Sequence, residues 1–286
     1  MSANEKNKVE ASTLYLVGTP IGNLADMTER AKKILSEVDF VAAEDTRNSM
    51  KLLSCFGIHT ELVSYYEHNK RESGERIVAR LLSGESCALI TDAGMPAISD
   101  PGEDLVRLCS ESGITVRVVP GPSACVSALA LSGLSTARFA FEGFLPAQKG
   151  ERRKKLDALK NEDRTMIFYE APHKLKATLD DMLEVFGGER KISLCRELTK
   201  LNEEAERTTL GCAVKTYKEK EPRGEYVLVL DGGTKNEQKD NPLLSLSPEA
   251  HVSHYESLGM KRMDAIKAAA KDRGMSKSEL YKLLVE

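Results

Sequence analysis

The sequence predicts an α/β fold: short apolar strands alternate with helices, the pattern of a parallel sheet covered on both faces. Three observations carry this. The runs LYLVG (14–18), DFVAA (39–43), ELVSYY (61–66), CALIT (87–91) and TVRVV (115–119) are short, apolar strands. Each of the first four is followed by a helix-length segment: ERAKKILSE (29–37), then helices ending at Gly57, near Gly84 and at Gly113. The unusual loops fall after strands, where open α/β sheets bind ligands.

Those loops are GTPIGN (18–23), EDTRNS (44–49), DAGMPAISDPG (92–102) and PGPSA (120–124). Each has a plain reading. GTPIGN reads as a strand-to-helix turn; it is not GxGxxG, and no nearby acid is placed for a ribose. EDTRNS reads as a cap for the next helix through Thr46. PGPSA reads as a turn with a serine cap. In the fourth loop, Asp100-Pro101-Gly102-Glu103 spells a helix start, with an N-cap carboxylate and proline at the first helical position. That leaves Asp92, Ala93, Gly94, Met95 and Pro96 without a local explanation. Four such loops on one sheet edge together point to a ligand approached closely by backbone.

A second α/β region begins near Arg138, with strands FAFEGF (139–144), TMIFYE (165–170), KISLCREL (191–198) and EYVLVLDG (225–232), and helices between the first three. The expected organisation is a disordered N-terminus (1–11), a parallel-sheet α/β domain (12–136), a second α/β domain (137–233), a polar linker (234–246) and a helical tail (247–286). In the tail, Ser247-Pro248-Glu249 starts one helix, residues 260–274 form a second, and a Ser276/Glu279 capping box opens a third. From residue 260 the tail holds seven Lys or Arg and four acids. It reads either as a helix-turn-helix-like RNA module or as a small bundle that packs on the rest of the chain or on a partner subunit.

Composition sets the outer bounds. The chain has 286 residues, 41% hydrophobic and 30% charged, as expected of a globular protein with room for two domains. The polar start MSANEKNKVE predicts no signal peptide, and no run of about 18 apolar residues predicts a membrane span. The six cysteines are scattered without a CxxC pair, which predicts small buried hydrophobes in a reducing cytoplasm and no metal site. A net charge of -3 disfavours global attraction to nucleic acid, so RNA would need a local basic patch. PAQKGERRKKL (146–156) is one candidate, with five basic residues and one acid. It reads equally as a solvated helix face or as a phosphate contact through Arg152, Arg153, Lys154 and Lys155.

Taken together, VGTPIGNL, AAEDTRNS, ITDAGMPAISDPG, VPGPSA and FYEAPHK (168–174), in this order, closely resemble the tetrapyrrole methylase family, the class III S-adenosylmethionine methyltransferases. The combination of TPIGNL, EDTR and DAGMPAISDPG is similar to the branch that methylates the ribose 2′-hydroxyl of a cytidine in 16S rRNA of the small ribosomal subunit. The resemblance covers about residues 12 to 232 and a helical tail. It implies two α/β domains of the tetrapyrrole methylase type, with the methyl donor in the cleft between them. It also implies a homodimer and backbone contacts to S-adenosylmethionine from Asp92, Ala93, Gly94, Pro96 and Ala97. Ser123 and Ala124 would touch the donor from the fifth loop, Tyr169, Glu170 and Ala171 would cover its adenosine, and Pro20 would line the cleft. His173 reads as a cap-region histidine.

Methyl transfer from a sulfonium is an in-line displacement that depends on alignment. A ribose hydroxyl is a weak nucleophile at neutral pH, so a base or nearby cation helps. Glu44, Asp45 and Arg47 are the catalytic candidates, without a choice of proton acceptor among them. Two other classes remain open: a precorrin or uroporphyrinogen C-methylase, and a non-catalytic RNA-binding protein.

Overall fold

The computed structural model describes residues 8–233 and 242–284. Residues 1–160 and 164–231 form one compact unit, and residues 161–163 with 232–286 form another.

The first sheet holds β1 (Thr13–Val17), β2 (Phe40–Ala43), β3 (Glu61–Ser64), β4 (Cys87–Ile90) and β5 (Thr115–Val119), in the order β3-β2-β4-β1-β5 with every pair parallel. β2 and β4 are buried at every residue, which is why they read as unbroken apolar runs rather than alternating ones. The chain crosses the sheet one way from β1 to β2 to β3, and the other way from β3 to β4 to β5. Right-handed crossovers therefore put α1 (Glu29–Glu37) and α2 (Thr46–Cys55) on one face, and α3 (Lys70–Leu82) and α4 (Gly102–Glu111) on the other. Two separate apolar clusters record this. Ile34, Leu35 and Leu53 pack with Val17 and Ile90, whereas Ile77, Leu81 and Leu105 pack with Leu14 and Leu89.

The second sheet holds β6 (Phe139–Phe144), β7 (Thr165–Glu170), β8 (Lys191–Arg196), β9 (Glu204–Thr209) and β10 (Tyr226–Leu230), in the order β6-β7-β10-β8-β9. β6 and β7 run parallel and the other pairs antiparallel. One face is covered by α6 (Lys149–Ala158), α7 (Pro172–Phe186) and α8 (Leu210–Glu219), with Leu156, Leu175, Leu179 and Leu210 over Phe168 and Leu228. The other is covered by α5 (Ala124–Ser132), the helix that follows β5. Its Cys125, Ala128 and Leu129 pack on Ile167, Cys195, Val227 and Val229. Sequence reading gave no helix span after β5 and missed β9 and α8.

The expected disorder through residue 11 fails at its end. Glu10 pairs with Arg117 at 2.6 Å, and its N–H donates to the Tyr15 hydroxyl. Residues 1–7 and the linker stretch 234–241 lie outside the described residues. Pro242–Ser245, expected to be linker, forms a 3-10 turn.

The tail forms α9 (Pro248–Ser257), α10 (Arg262–Asp272) and α11 (Lys277–Leu283) around a core of Val252, Ala265, Ile266, Ala269, Ala270 and Leu280. Its caps match their sequence signals. Ser247 accepts from the Ala250 N–H with Pro248 at the first position, and Ser276 and Glu279 form a reciprocal capping box. Among the described residues, no helix is long and apolar enough to cross a membrane.

Candidate active site

The loops after β1, β4 and β5 are bonded into one layer at the carboxyl edge of the first sheet. Thr19 and Gly94 exchange backbone hydrogen bonds of 3.0 and 3.1 Å, and the Thr19 hydroxyl donates to the Thr91 carbonyl. Gly94 adopts φ +86°, and a Cβ there would stand 3.3 Å from Ile21 Cγ2. The position thus calls for glycine both by conformation and by crowding. Gly18 and Gly121 meet backbone to backbone, with a Cβ on Gly18 only 2.7 Å from the Gly121 Cα.

The same loop continues into a second constrained turn. Ala97 and Ser99 take left-handed φ values of +66° and +67°. Asp100 holds that turn: its carboxylate accepts from the N–H groups of Ala97 (3.0 Å), Ile98 (3.1 Å) and Gly102 (2.8 Å). It therefore does more than cap α4, which begins at Gly102, one residue later than its expected first position at Pro101.

β2 and β4 are neighbours whose following chains leave toward opposite faces, a switch point where a crevice opens. Side chains bridge it. Thr91 Oγ1 donates to Glu44 at 2.9 Å, and Asn48 Nδ2 reaches Asp92 at 3.4 Å. Asp45, not Thr46, caps α2: its carboxylate accepts from the Arg47 N–H at 2.8 Å. The Arg47 side chain folds back on Asp45 at 3.3 Å while remaining 87% exposed. These bonds from Arg47, side chain first and then backbone, hold the Asp45 carboxyl below its ordinary pKa.

Between this edge and the second sheet lies a cavity of about 570 Å³, within the range of small-molecule sites. Its first wall is Glu44, Thr91 to Met95, Ile98 to Asp100, Ser123 and Ala124. The opposite wall is Phe144, Tyr169 to His173, Cys195, Leu198 and residues 225–227, and Ile21 completes it. Tyr169 links the walls. Its ring meets Phe141 and Phe144 edge-on, and its hydroxyl accepts from the Cys125 N–H at 3.2 Å. Burial pushes the Tyr169 hydroxyl up to about 12, so it stays protonated. The Glu170 carboxylate is engaged within its own wall, accepting from Thr178 Oγ1 of α7 and from the Ala171 N–H.

The cavity thus brings together Glu44, Asp92, Ala93, Gly94, Ser123, Ala124, Tyr169, Glu170 and Ala171. Asp45, Arg47, Pro20, Pro96 and Ala97 lie outside its lining. Pro20 and Pro96 are buried. Sequence reading missed Ile21, Met95, Phe144 and Leu198. Met95 sat inside a motif already singled out. Leu198 and residues 225–227 come from strand ends far apart in sequence, where no local signal marks them.

The basic run divides. Arg152 is corrected: it is buried, its guanidinium pairing with Asp181 at 2.7 Å and donating to the Ala147 carbonyl, so it faces α7 and no solvent phosphate. Arg153 pairs with Glu184, and Lys155 donates to the Glu142 carbonyl at 2.6 Å. Lys154 is exposed. Among the described residues no group of three or more His, Cys, Asp or Glu is arranged to hold a metal.

Comparison with known proteins agrees with this architecture. The sequence profile of the Tetrapyrrole (Corrin/Porphyrin) Methylases matches residues 13–213. Proteins named ribosomal RNA small subunit methyltransferase I are similar over nearly the whole chain. The one from Halalkalibacterium halodurans is 51% identical, covering 96% of this chain and 95% of its own. That from Bacillus subtilis is 46% identical (98% and 96%), and that from Escherichia coli O157:H7 is 44% identical (96% and 94%). Among solved structures, a uroporphyrin-III-C-methyltransferase from Thermus thermophilus superposes with TM-score 0.55 at 21% identity, over 76% of this chain and 94% of its own. A cobalt precorrin-4 methyltransferase gives TM-score 0.55 at 17% identity, with the same coverage.

Proposed function

The chain belongs to the tetrapyrrole (corrin/porphyrin) methylase family, and from that membership we propose that it transfers a methyl group from S-adenosylmethionine to the ribose 2′-hydroxyl of a cytidine in 16S rRNA of the small ribosomal subunit. One observation carries the reading: identity of 44–51% to rRNA methyltransferases over at least 94% of both chains. The likeness to uroporphyrin and precorrin methylases, at 17–21% identity, extends to the fold alone. A merely RNA-binding protein would have no use for a built cavity between two sheets.

The residues present fit the donor. Gly94 leaves its backbone open on the cavity side where any Cβ would crowd Ile21. Tyr169 and Phe144 offer ring surface at the opposite wall, suited to a purine. The donor supplies an activated methyl group. The chain's own task is to align the acceptor oxygen and take its proton. Of the candidates Glu44, Asp45 and Arg47, Glu44 is the one that lines the cavity, and Thr91 donates to its carboxylate. Asp45 is held as a cap by bonds that favour its ionised form, which makes it a weaker base. Glu44 is thus our proton acceptor.

Calorimetry with EDTA present tests the donor site: wild type releases binding heat and Gly94→Val releases none. Equal heats would displace the donor from this loop. Glu44→Gln should lower kcat about 10²- to 10⁴-fold with donor affinity unchanged; an unaltered kcat removes Glu44 from the chemistry. Small subunits from cells lacking the protein should gain one alkali-resistant linkage at a cytidine, whereas a methyl group on a base would refute the 2′-O assignment. The expected homodimer rests on the family resemblance, and sedimentation equilibrium checks it.

A further inference from the structure

A ledge beside the cavity is left unused by the roles assigned so far. Tyr65 N–H donates to the Ala43 carbonyl at 2.8 Å, so the chain after β3 leaves the sheet level with Glu44, one strand spacing of about 4.8 Å away. The next residues are Tyr66, Glu67 and His68, all exposed. The Tyr66 and His68 rings meet edge-on, with centroids 6.2 Å apart at 79°.

An exposed aromatic pair is ordinary when its loop is loose. This loop is fixed from both ends. Asn69 Oδ1 accepts from the Tyr66 N–H at 2.7 Å, and Asn69 Nδ2 donates to the Ser64 carbonyl at 3.2 Å. Lys70 joins Glu67 (2.7 Å) to Asp104 of α4 (2.8 Å). Beneath it, the buried Tyr65 hydroxyl donates to the Pro101 carbonyl at 2.9 Å. The backbone that carries the two exposed rings is therefore held in place, which lowers the ordering cost of binding there. On α2, which packs beside β3, Arg47 and Lys51 stand exposed one helical turn apart.

We propose that the Tyr66–His68 ledge is the acceptor seat: a base of single-stranded RNA stacks on it, and its ribose thereby enters the crevice at Glu44. This rests on the proposed rRNA methylation. Single-stranded RNA is recognised by stacking unstacked bases on aromatic and histidine rings, with nearby Arg and Lys holding the phosphates. A duplex hides its bases, so the ledge selects a looped-out nucleotide. The Tyr66 face supplies the stack and His68 holds the ring upright.

The chain contains no tryptophan, so Tyr66→Trp creates a single emission probe. A short cytidine-containing RNA should quench that emission, and the same RNA with an abasic site at the cytidine should not. In methylation assays on small subunits, Tyr66→Ala should raise the apparent KM roughly 5- to 150-fold, the loss of one base stack, with the calorimetric donor affinity intact. Tyr66→Phe keeps the ring and should recover the KM. Equal quenching by the abasic RNA, or an unchanged KM in Tyr66→Ala, overturns the ledge while leaving rRNA methylation standing. Wild type that methylates no small subunit overturns the underlying reading instead. Quenching by a peptide and not by RNA would make the ledge a protein-docking surface and also overturn the proposal.

Discussion

Asp100 shows how one side chain maintains a loop that its neighbours disfavour. Two non-glycine residues in left-handed conformation cost about 1 kcal/mol or more each, and three N–H groups bonded to one carboxylate offset that cost. Asp100→Ala should lower stability by about 2–3 kcal/mol in denaturant melts and weaken donor binding, because Ile98 and Ser99 form part of the cavity wall. Unchanged donor affinity in a folded variant would separate the turn from the site. A second carboxylate acts on pH. Hydrogen bonds from the Ser86 hydroxyl and N–H hold the Asp39 carboxyl below its ordinary pKa, tying the start of β2 to the start of β4. A depressed folded pKa means stability that is present above the ordinary value and lost as pH falls through the folded one. Asp39→Asn should therefore melt below wild type at pH 7, and the gap should close below about pH 4.

At the scale of elements, α6 illustrates what a string of charges conceals. RRKK reads as a solvated face, yet helical spacing puts Arg152 on the same side as Leu156, facing α7. Asp181, far along the chain, makes that burial tolerable, and nothing near Arg152 announces it. Arg152→Ala leaves a buried carboxylate alone and should cost about 3–5 kcal/mol in thermal or chemical melts. Lys154→Ala should leave the melt unchanged and, if Lys154 touches RNA phosphate, lower the salt slope of binding by about one unit. Identical melts for both variants would contradict the burial. The same contrast marks what was legible. β2 and β4 were plain because both faces are covered. β9, EAERTT, is an edge strand with little apolar content, and α5 is apolar all round, so neither carries the periodicity that identifies an element. The loops of the site were visible through their glycines and prolines, whereas Leu198 and residues 225–227 join the same cavity as Gly94 only after the second sheet folds.

For the whole molecule, the tail is a compact unit with its own core. Truncation before Thr234 should therefore spare donor affinity in calorimetry, and as an RNA module the tail's loss should raise the apparent KM for small subunits. Unchanged kinetics at near-physiological salt would deny the tail a part in docking. The remaining unit has a less obvious seam. α5 leaves the first sheet in sequence but lies on the second in space, closing its inner face with Cys125, Ala128 and Leu129. Gene division at residue 136 would thus separate the second sheet from its own cover and leave two fragments with bare apolar faces. A chimera that exchanges the second half for that of another methylase needs its junction upstream of Ser123, so that helix and sheet are inherited together. The natural unit of recombination in this chain is offset from the turn that a reader of the sequence would cut.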